Sequence, residues 1–199
     1  VRSSAASDVY KRQQGYFLEL GANEHQEISN TYLLEKSYGW KGIMVEYDPK
    51  FADAYKTHRP NSFHAIDDAT IIDYKHALMQ VNFPKQMDYL QVDLDPGNGS
   101  TLKALKNLDA TIFDDYTFAV ATFEHDVCLT QGSNKVFLET REESRAIFEK
   151  RGYVRVFKDV NNDGWWEVEK NRKLAREHKP YTPITQPYTS CMYPFEDWY

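Results

Sequence analysis

Two predicted strands end in side chains that could act on a bound hydroxyl group. Asp93 and Asp95 follow one apolar run, and Glu124 and His125 close the next. The two aspartates would point to the same side, because side chains alternate along a strand. A histidine can accept a proton from a hydroxyl near neutral pH. We therefore predict His125 as a general base, with Asp93 or Asp95 orienting it or binding the substrate. The alternative is a structural histidine bonded to a backbone carbonyl.

The same four residues suggest a second chemistry, in which they hold a divalent cation. Carboxylate oxygens are the ligands that Mg²⁺ prefers, and a bound cation could activate a hydroxyl group. The spacing of Asp93, Asp95, Glu124 and His125 matches no diagnostic metal motif. Our main prediction is therefore a site without a metal ion, and a magnesium site at these four residues is the alternative hypothesis.

A second set of candidates lies where the first predicted strand, Tyr16–Leu20, runs into a glycine. Ligands of open α/β sheets bind at the carboxyl ends of strands, and Gly21 would let the backbone approach one closely. The dinucleotide fingerprint G-x-G-x-x-G is missing, since Asn23 and Gln26 stand where its later glycines belong. This argues against a pyrophosphate cradle. A glycine with a purely structural role is the other interpretation.

Acidic residues also end the second and third predicted strands. Glu46, followed by Tyr47, could accept hydrogen bonds from both hydroxyls of a ribose. One of Asp67 and Asp68 could bond the amino group of an adenine. A solvated acid at a strand end, or a helix cap formed by Asp68 or Thr70, explains the same residues without a ligand.

The elements that position these residues alternate along the chain. The apolar runs are Tyr16–Leu20, Gly42–Glu46, Ser62–Ile66, Asp88–Val92, Phe118–Phe123 and Tyr153–Phe157. Helical spacing is found at Ile28–Tyr38, Pro49–His58, Ile71–Val81, Ser100–Leu108 and Arg141–Arg151, the last with a capping box from Thr140 to Glu143. Strands that alternate with helices predict an α/β fold with a mostly parallel sheet covered on both faces.

Charge and composition exclude several classes of protein. The chain has 199 residues, 41% of them hydrophobic, and a net charge of −6. It contains no apolar stretch long enough to span a membrane, and its acidity argues against a nucleic-acid or membrane partner. Between positions 86 and 130, Lys103 and Lys106 stand against eight acidic residues. A cluster of acidic residues disfavours a polyanionic substrate. Two cysteines, Cys128 and Cys191, are typical of reduced thiols in a cytoplasmic protein.

The chain divides into three parts. Residues 1–14 show no apolar periodicity, and we expect a disordered or artefactual leader. Residues 15–160 carry the strands, the helices and the candidate site. Residues 161–199 form a C-terminal elaboration that ends in a last strand, which we expect the end of the chain to cut short.

The motifs of residues 15–160 resemble the FkbM-type family of S-adenosylmethionine-dependent methyltransferases. The resemblance lies in GYFLELGANEH, SNTYLLEK, GWKGIMVEYDP, DYLQVDLDP and FAVATFEHD, and the closing PFEDWY is similar to a late strand of that family. It implies a Rossmann-like class I methyltransferase fold with about seven strands, the last of them antiparallel. It also implies O-methylation of a hydroxyl on a sugar, a polyketide or a similar small molecule.

The resemblance implies S-adenosylmethionine as the cofactor. The candidate cofactor contacts are Glu19, Gly21, Ala22, Asn23, Glu46, Tyr47, Asp67, Asp68 and Asp93. Family members usually continue the Gly-Ala-Asn triplet with Asp-Gly, whereas this chain has Glu24 and His25. That departure suggests a catalytically silent cofactor-binding member as one alternative. An NAD-dependent Rossmann oxidoreductase is the other, disfavoured by the missing glycines.

Overall fold

The computed structural model describes residues 14–127, 134–161 and 194–199. The strands within these ranges are β1 (Tyr16–Leu20), β2 (Lys41–Glu46), β3 (Phe63–Ile66), β4 (Gln86–Val92), β5 (Thr117–Glu124), β6 (Phe157–Asn161) and β7 (Pro194–Trp198). The helices are α1 (Tyr32–Tyr38), α2 (Ala52–His58), α3 (Tyr74–Val81), α4 (Ser100–Thr111) and α5 (Lys135–Lys150). Short 3₁₀ turns precede α2 and α4, at Pro49–Phe51 and Pro96–Asn98.

The strands form one sheet in the order β3-β2-β1-β4-β5-β7-β6. Strands β1 to β5 pair in parallel, so that Leu18 lies between Ile43 of β2 and Leu90 of β4. Strand β7 runs antiparallel to both of its neighbours, β5 and β6. The prediction of a mostly parallel sheet of about seven strands is confirmed.

Helices cover both faces of the sheet, because the central strands are apolar on both sides. Leu18 packs on one face in a core that includes Leu105 of α4 and Phe148 of α5. Its neighbour Phe17 points to the opposite face, where it packs in a second core with Tyr55 of α2. Two buried layers therefore hold the strand ends in fixed positions.

Helix α5 begins at Lys135, ahead of the predicted helix Arg141–Arg151. The side chain of Asn134 accepts a hydrogen bond from the backbone nitrogen of Val136 at 2.9 Å and caps the helix. Thr140 lies inside the helix, so the predicted capping box is wrong. The buried side chain of Phe137 extends the apolar face toward the N-terminus, and this packing overrides the local capping pattern.

Several other boundaries differ from the predictions, among them those of α1, α3 and β6. Helix α3 begins at Tyr74 rather than Ile71. Helix α1 begins at Tyr32 rather than Ile28. The predicted strand Tyr153–Phe157 is wrong in all but its last residue, because β6 begins at Phe157. The hydroxyl of Tyr153 accepts a hydrogen bond from the backbone nitrogen of Phe118 at 2.9 Å, which holds this segment in the turn after α5.

Several predictions fall on residues outside the described ranges. They include positions 1–13 of the leader, positions 162–193 of the C-terminal elaboration, and both Cys128 and Cys191. Strand β7, from the end of that elaboration, is an inner strand of the sheet. Among the described helices, none is both long enough and apolar enough to cross a membrane.

Candidate functional site

A cavity of about 780 Å³ opens at the carboxyl ends of β1, β2 and β4. Pockets for small molecules usually enclose roughly 300–1,000 Å³, and ligands of open α/β sheets bind at this edge. The described residues that line the cavity are Gly21, Asn23, Ile28, Val45, Glu46, Tyr47, Asp68, Ala69, Thr70, Asp93, Leu94, Asp95, Asn98, Ser100 and Lys103. The residues predicted from the first, second and fourth strand ends therefore meet at one cavity.

Gly21 lies at the point where β1 enters the cavity. Its φ of +78° belongs to the left-handed region, and a Cβ built on it would fall 1.7 Å from the carbonyl oxygen of Asp93. The backbone nitrogens of Gly21 and Ala22 both donate to the carbonyl of Val45, at 3.0 and 3.2 Å. Ala22 itself is buried. A glycine is therefore required for β1, β2 and β4 to approach each other here.

The loop after Gly21 is held by Glu46 at the end of β2. Asn23 has a φ of +48°, and its backbone nitrogen donates to Oε2 of Glu46 at 2.8 Å. Oε1 of the same carboxylate accepts a hydrogen bond from the backbone nitrogen of Asp48 at 2.9 Å. Tyr47 stands at the rim with 76% of its surface exposed. Glu46 thus shapes the loop and presents a carboxylate to the cavity at the same time.

Asp68 lines the cavity after β3, whereas Asp67 is not among the lining residues. Oδ1 of Asp68 accepts hydrogen bonds from the backbone nitrogen and the hydroxyl of Thr70, at 2.8 and 2.7 Å. These bonds hold the pKa of Asp68 below its usual range. Helix α3 is capped by Asp73, so the alternative of a helix cap at Asp68 or Thr70 is wrong.

Glu19 lies outside this cavity, behind the segment that joins β1 to α1. Its carboxylate is buried and accepts hydrogen bonds from the backbone nitrogen of Asn30 at 3.0 Å and from the hydroxyl of Thr31 at 2.6 Å. Burial raises the pKa of Glu19 to about 7. The structure therefore places Glu19 against the backbone of the loop, beside the cavity rather than in it.

Asp93 and Asp95 both line the cavity, but they are held differently. Oδ2 of Asp93 accepts hydrogen bonds from the side-chain nitrogens of Asn30 and Gln91, each at 3.3 Å. Oδ1 of Asp95 accepts a hydrogen bond from the backbone nitrogen of Gly97 at 2.8 Å and caps the 3₁₀ turn. Asp93 is thus oriented by side chains, whereas Asp95 is fixed by the turn that follows β4.

Gln91 and Asn30 are site residues that the sequence did not single out. Gln91 is buried on β4, where its Oε1 accepts hydrogen bonds from Tyr89 at 2.6 Å and from Thr122. The alternation of polar residues at Gln91, Asp93 and Asp95 could have indicated Gln91, because side chains two apart share one side of a strand. Strand β4 itself ends at Val92, before the two aspartates. Asn30 comes from a loop far away in the sequence and carries no comparable signal.

His125 is fully buried and is not among the residues that line the cavity. Its Nδ1 accepts a hydrogen bond from the backbone nitrogen of Val127 at 3.4 Å, and its Nε2 lies 3.8 Å from Oδ1 of Asp197 in β7. Asp197 also accepts two hydrogen bonds from Arg145 of α5, at 2.6 and 3.0 Å. The structure therefore places His125 inside the protein, where β5, β7 and α5 meet around Asp197.

Three other acids, Glu124, Asp126 and Glu196, interact electrostatically with Asp93. Burial, a hydrogen bond with Asp93 and the surrounding negative charges raise the pKa of Glu124 far above its usual range. Burial also raises the pKa of Asp126 to about 6 and that of Glu196 to about 7. Glu124 therefore holds a proton more strongly than an exposed glutamate does, directly beside Asp93.

The four residues of the magnesium hypothesis do not form one cluster, although Glu124 bonds to Asp93. Within the described ranges, no group of three or more His, Cys, Asp or Glu side chains could hold a metal ion. The ring of His125 lies against Asp197, and Asp95 is bonded to the turn at Gly97. This arrangement gives the hypothesis no support.

The strand order, with β7 antiparallel between β5 and β6, defines a Rossmann-like class I methyltransferase fold. The cavity lies at the edge of the sheet where ligands of open α/β folds bind. No family model matches the chain, and no curated protein matches it.

Solved structures of low sequence identity resemble the chain. A TehB-like SAM-dependent methyltransferase from Corynebacterium glutamicum has a TM-score of 0.46 and 14% identity, over 72% of this chain and 71% of that one. The fibrillarin pre-rRNA processing protein of Methanococcus jannaschii has a TM-score of 0.48 and 17% identity, over 75% of this chain and 61% of that one. Phosphoethanolamine N-methyltransferase 2 of Haemonchus contortus, in complex with S-adenosyl-L-methionine, has a TM-score of 0.49 and 12% identity, over 99% of this chain and 51% of that one.

The chain thus spans 61% of the length of the fibrillarin protein and 51% of that of the phosphoethanolamine enzyme. Because the identities and TM-scores are low, the strand order rather than these similarities carries the assignment of the fold.

Proposed function

We propose that the protein is an S-adenosylmethionine-dependent methyltransferase of the FkbM type that methylates a hydroxyl group on a small molecule or a sugar. The observation that carries this proposal is the cavity at the ends of β1, β2 and β4, where Gly21 lets β1 and β4 approach each other and Glu46 presents a carboxylate. The class I strand order and the motifs of residues 15–160 support it.

The residues of the cavity fit S-adenosylmethionine. Glu46 lies at the end of β2, where a carboxylate can accept hydrogen bonds from ribose hydroxyls. Tyr47 offers an exposed ring beside it. Asp68, kept ionised by its bonds to Thr70, can accept a hydrogen bond from the adenine amino group. When bound, S-adenosylmethionine supplies a methyl group on a positively charged sulfur, which an oxygen nucleophile can attack.

We propose Asp93 as the group that takes the proton from the substrate hydroxyl. A general base must lie within hydrogen-bond reach of that proton, and Asp93 lines the cavity with its carboxylate oriented by Asn30 and Gln91. Asp95 lines the same wall and can bind the substrate hydroxyl. The buried position of His125, beside Asp197 of β7, instead favours a structural role.

The sheet argues against an NAD-dependent oxidoreductase. Dinucleotide-binding Rossmann folds have the strand order 3-2-1-4-5-6, without an antiparallel strand inserted beside the fifth. Here β7 occupies that position. A catalytically silent member stays a hypothesis, because binding of the cofactor alone does not require proton transfer at Asp93.

Methyl transfer from radiolabelled S-adenosylmethionine to a panel of sugars and small hydroxylated metabolites tests the proposal. We expect label in at least one hydroxylated compound, and transfer to that compound roughly a hundredfold slower or more with Asp93→Asn. Transfer only to amines would contradict O-methylation. Binding of the cofactor without transfer to any compound in the panel would favour the silent alternative.

A further inference from the structure

Arg59, which directly follows α2, is a fully buried arginine. Its Nε donates to Oε2 of Glu35 at 2.8 Å, and both side chains have no exposed surface. Glu35 also accepts hydrogen bonds from the hydroxyl of Ser62 at 2.6 Å and the backbone nitrogen of Asn61 at 3.2 Å. Buried charges are rare because removing them from water is costly, so a complete set of partners is expected.

The other two nitrogens of the Arg59 guanidinium point to the loop that follows β1. One donates to the hydroxyl of Ser29 at 2.7 Å and to the backbone carbonyl of His25 at 3.4 Å. The second donates to the hydroxyl of Thr31 at 2.7 Å. A planar guanidinium can hold several acceptors in a fixed geometry. Arg59 therefore connects three points of residues 23–31, which we call the cofactor loop.

The hydrogen bonds continue from this loop to the cavity. Thr31, which accepts from Arg59, donates to Glu19 at 2.6 Å, and the backbone nitrogen of Asn30 donates to the other oxygen of Glu19 at 3.0 Å. The side chain of Asn30 then donates to Oδ2 of Asp93 at 3.3 Å. Arg59 thus lies at the start of a chain of contacts that ends on a residue lining the cavity.

We propose that Arg59 is a positioning residue, which fixes the cofactor loop so that Asn23 and Asn30 are held in place at the cavity. The inference rests on the proposed function, because it takes the cavity to be the cofactor site. Arg59 is not among the described residues that line the cavity. Its effect on the ligand is exerted through Ser29 and Thr31.

The test compares Arg59→Met with a matched control, Arg151→Met. Arg151 is also ion-paired, although it is only partly buried, and its partners, Asp109 and Asp114, belong to α4 and the turn after it. Both substitutions remove a guanidinium and lower stability. We expect the affinity for S-adenosylhomocysteine, measured by calorimetry well below the unfolding temperature, to fall roughly tenfold or more in Arg59→Met only.

Hydrogen exchange of the ligand-free proteins supplies a second readout. We expect faster exchange of the amides of residues 23–31 in Arg59→Met, and wild-type exchange of that loop in Arg151→Met. Ser29→Ala removes one loop acceptor of the guanidinium and keeps the buried Arg59–Glu35 pair, so it serves if Arg59→Met does not fold. Ser29→Ala should show the same loss of affinity for S-adenosylhomocysteine and the same faster exchange of the loop, each to a smaller extent than Arg59→Met.

The outcomes separate the two proposals. Unchanged affinity and unchanged loop exchange in Arg59→Met and Ser29→Ala would overturn the positioning role. Equal effects in Arg151→Met would also overturn it, because the loss would then be one of general stability. If the wild type does not bind S-adenosylhomocysteine, the proposed function fails, while the exchange measurement still decides whether Arg59 fixes the loop.

Discussion

The carbonyl oxygen of Asp93 occupies the space that a side chain at Gly21 would need. A Cβ built on Gly21 would fall 1.7 Å from that oxygen, far inside van der Waals contact. The backbone nitrogen of Asp93 also donates to the carbonyl of Leu20 at 3.1 Å, so β1 and β4 are still paired where the cavity begins. The floor of the cavity is therefore two backbone segments in direct contact, with no side chain between them.

Gly21→Ala should accordingly disrupt the site. We expect it to lower the free energy of unfolding by roughly 2–4 kcal/mol, because the methyl group collides with rigid backbone at a positive φ. The affinity for S-adenosylhomocysteine should fall with it. Gly39→Ala is the matched control: Gly39 has a φ of +67° but open space around its Cβ position. Equal losses in thermal unfolding and calorimetry for the two variants would show that the close approach to Asp93 does not matter.

Glu46→Ala should weaken cofactor binding without unfolding the protein. The substitution removes the acceptor for ribose hydroxyls and releases the backbone nitrogens of Asn23 and Asp48. We expect the affinity for S-adenosylhomocysteine to fall roughly tenfold to a hundredfold, since hydrogen bonds to a charged group are strong. Glu24→Ala, an exposed acid in the same loop, serves as the control in the same calorimetric titration. An equal loss of affinity in both variants would contradict a specific role of Glu46.

Glu19 should make the stability of the protein depend on pH. Its pKa is raised to about 7 in the folded protein from an ordinary value of 4.5. Between these pH values the unfolded chain releases a proton that the folded protein keeps, so the free energy of unfolding falls as pH rises and levels off above 7. In Glu19→Gln, the decrease in the free energy of unfolding with pH should be smaller by up to about 3 kcal/mol. Urea unfolding at pH 5 and pH 7.5 measures this change in the free energy of unfolding. The same change in the wild type and in the variant would refute the titration of Glu19 as its cause.

Asp93→Asn should slow methyl transfer strongly while keeping the cofactor site. Loss of a general base slows a reaction by roughly a hundredfold or more, and the amide keeps the size of the carboxylate. We expect kcat to fall to that extent, with little change in the affinity for S-adenosylhomocysteine. Asp53→Asn, at an exposed position on α2, is the control for steady-state kinetics. If the turnover of Asp93→Asn equals that of the wild type, Asp93 is not the base, and His125→Ala becomes the next variant to measure.

Chelation tests the magnesium hypothesis. Because the candidate ligands do not converge within the described ranges, we expect methyl transfer to proceed unchanged in EDTA. Activity that disappears in EDTA and returns with added Mg²⁺ would show that Asp93 or its neighbours bind the ion in the presence of substrate.

The sheet was predictable because its strands are buried on both faces, which leaves short apolar runs in the sequence. The acids at the strand ends follow from the same pattern, and Gly21, Glu46 and Asp93 do meet at one cavity. The boundaries of α5 and β6 were not predictable in the same way. Phe137 and Tyr153 set them by packing against distant parts of the chain, and a local motif such as the one at Thr140 carries no information about that packing.

The direction in which a side chain points at a strand end could not be predicted from the sequence either. Glu19 and His125 stand at strand ends, as predicted, but one is buried against the cofactor loop and the other against Asp197. Arg59 had no signal, because it follows a helix and meets Ser29 and Thr31 only through the tertiary fold. Such contacts depend on three-dimensional proximity rather than on spacing along the chain.

Calorimetric titration of the wild-type protein with S-adenosylhomocysteine, and separately with NADH, shows which cofactor the cavity binds. We expect one saturable site for S-adenosylhomocysteine that is weakened in Glu46→Ala, and no binding of NADH. Binding of NADH without S-adenosylhomocysteine, or no binding of either, would contradict the assignment of the cavity to a methyl donor.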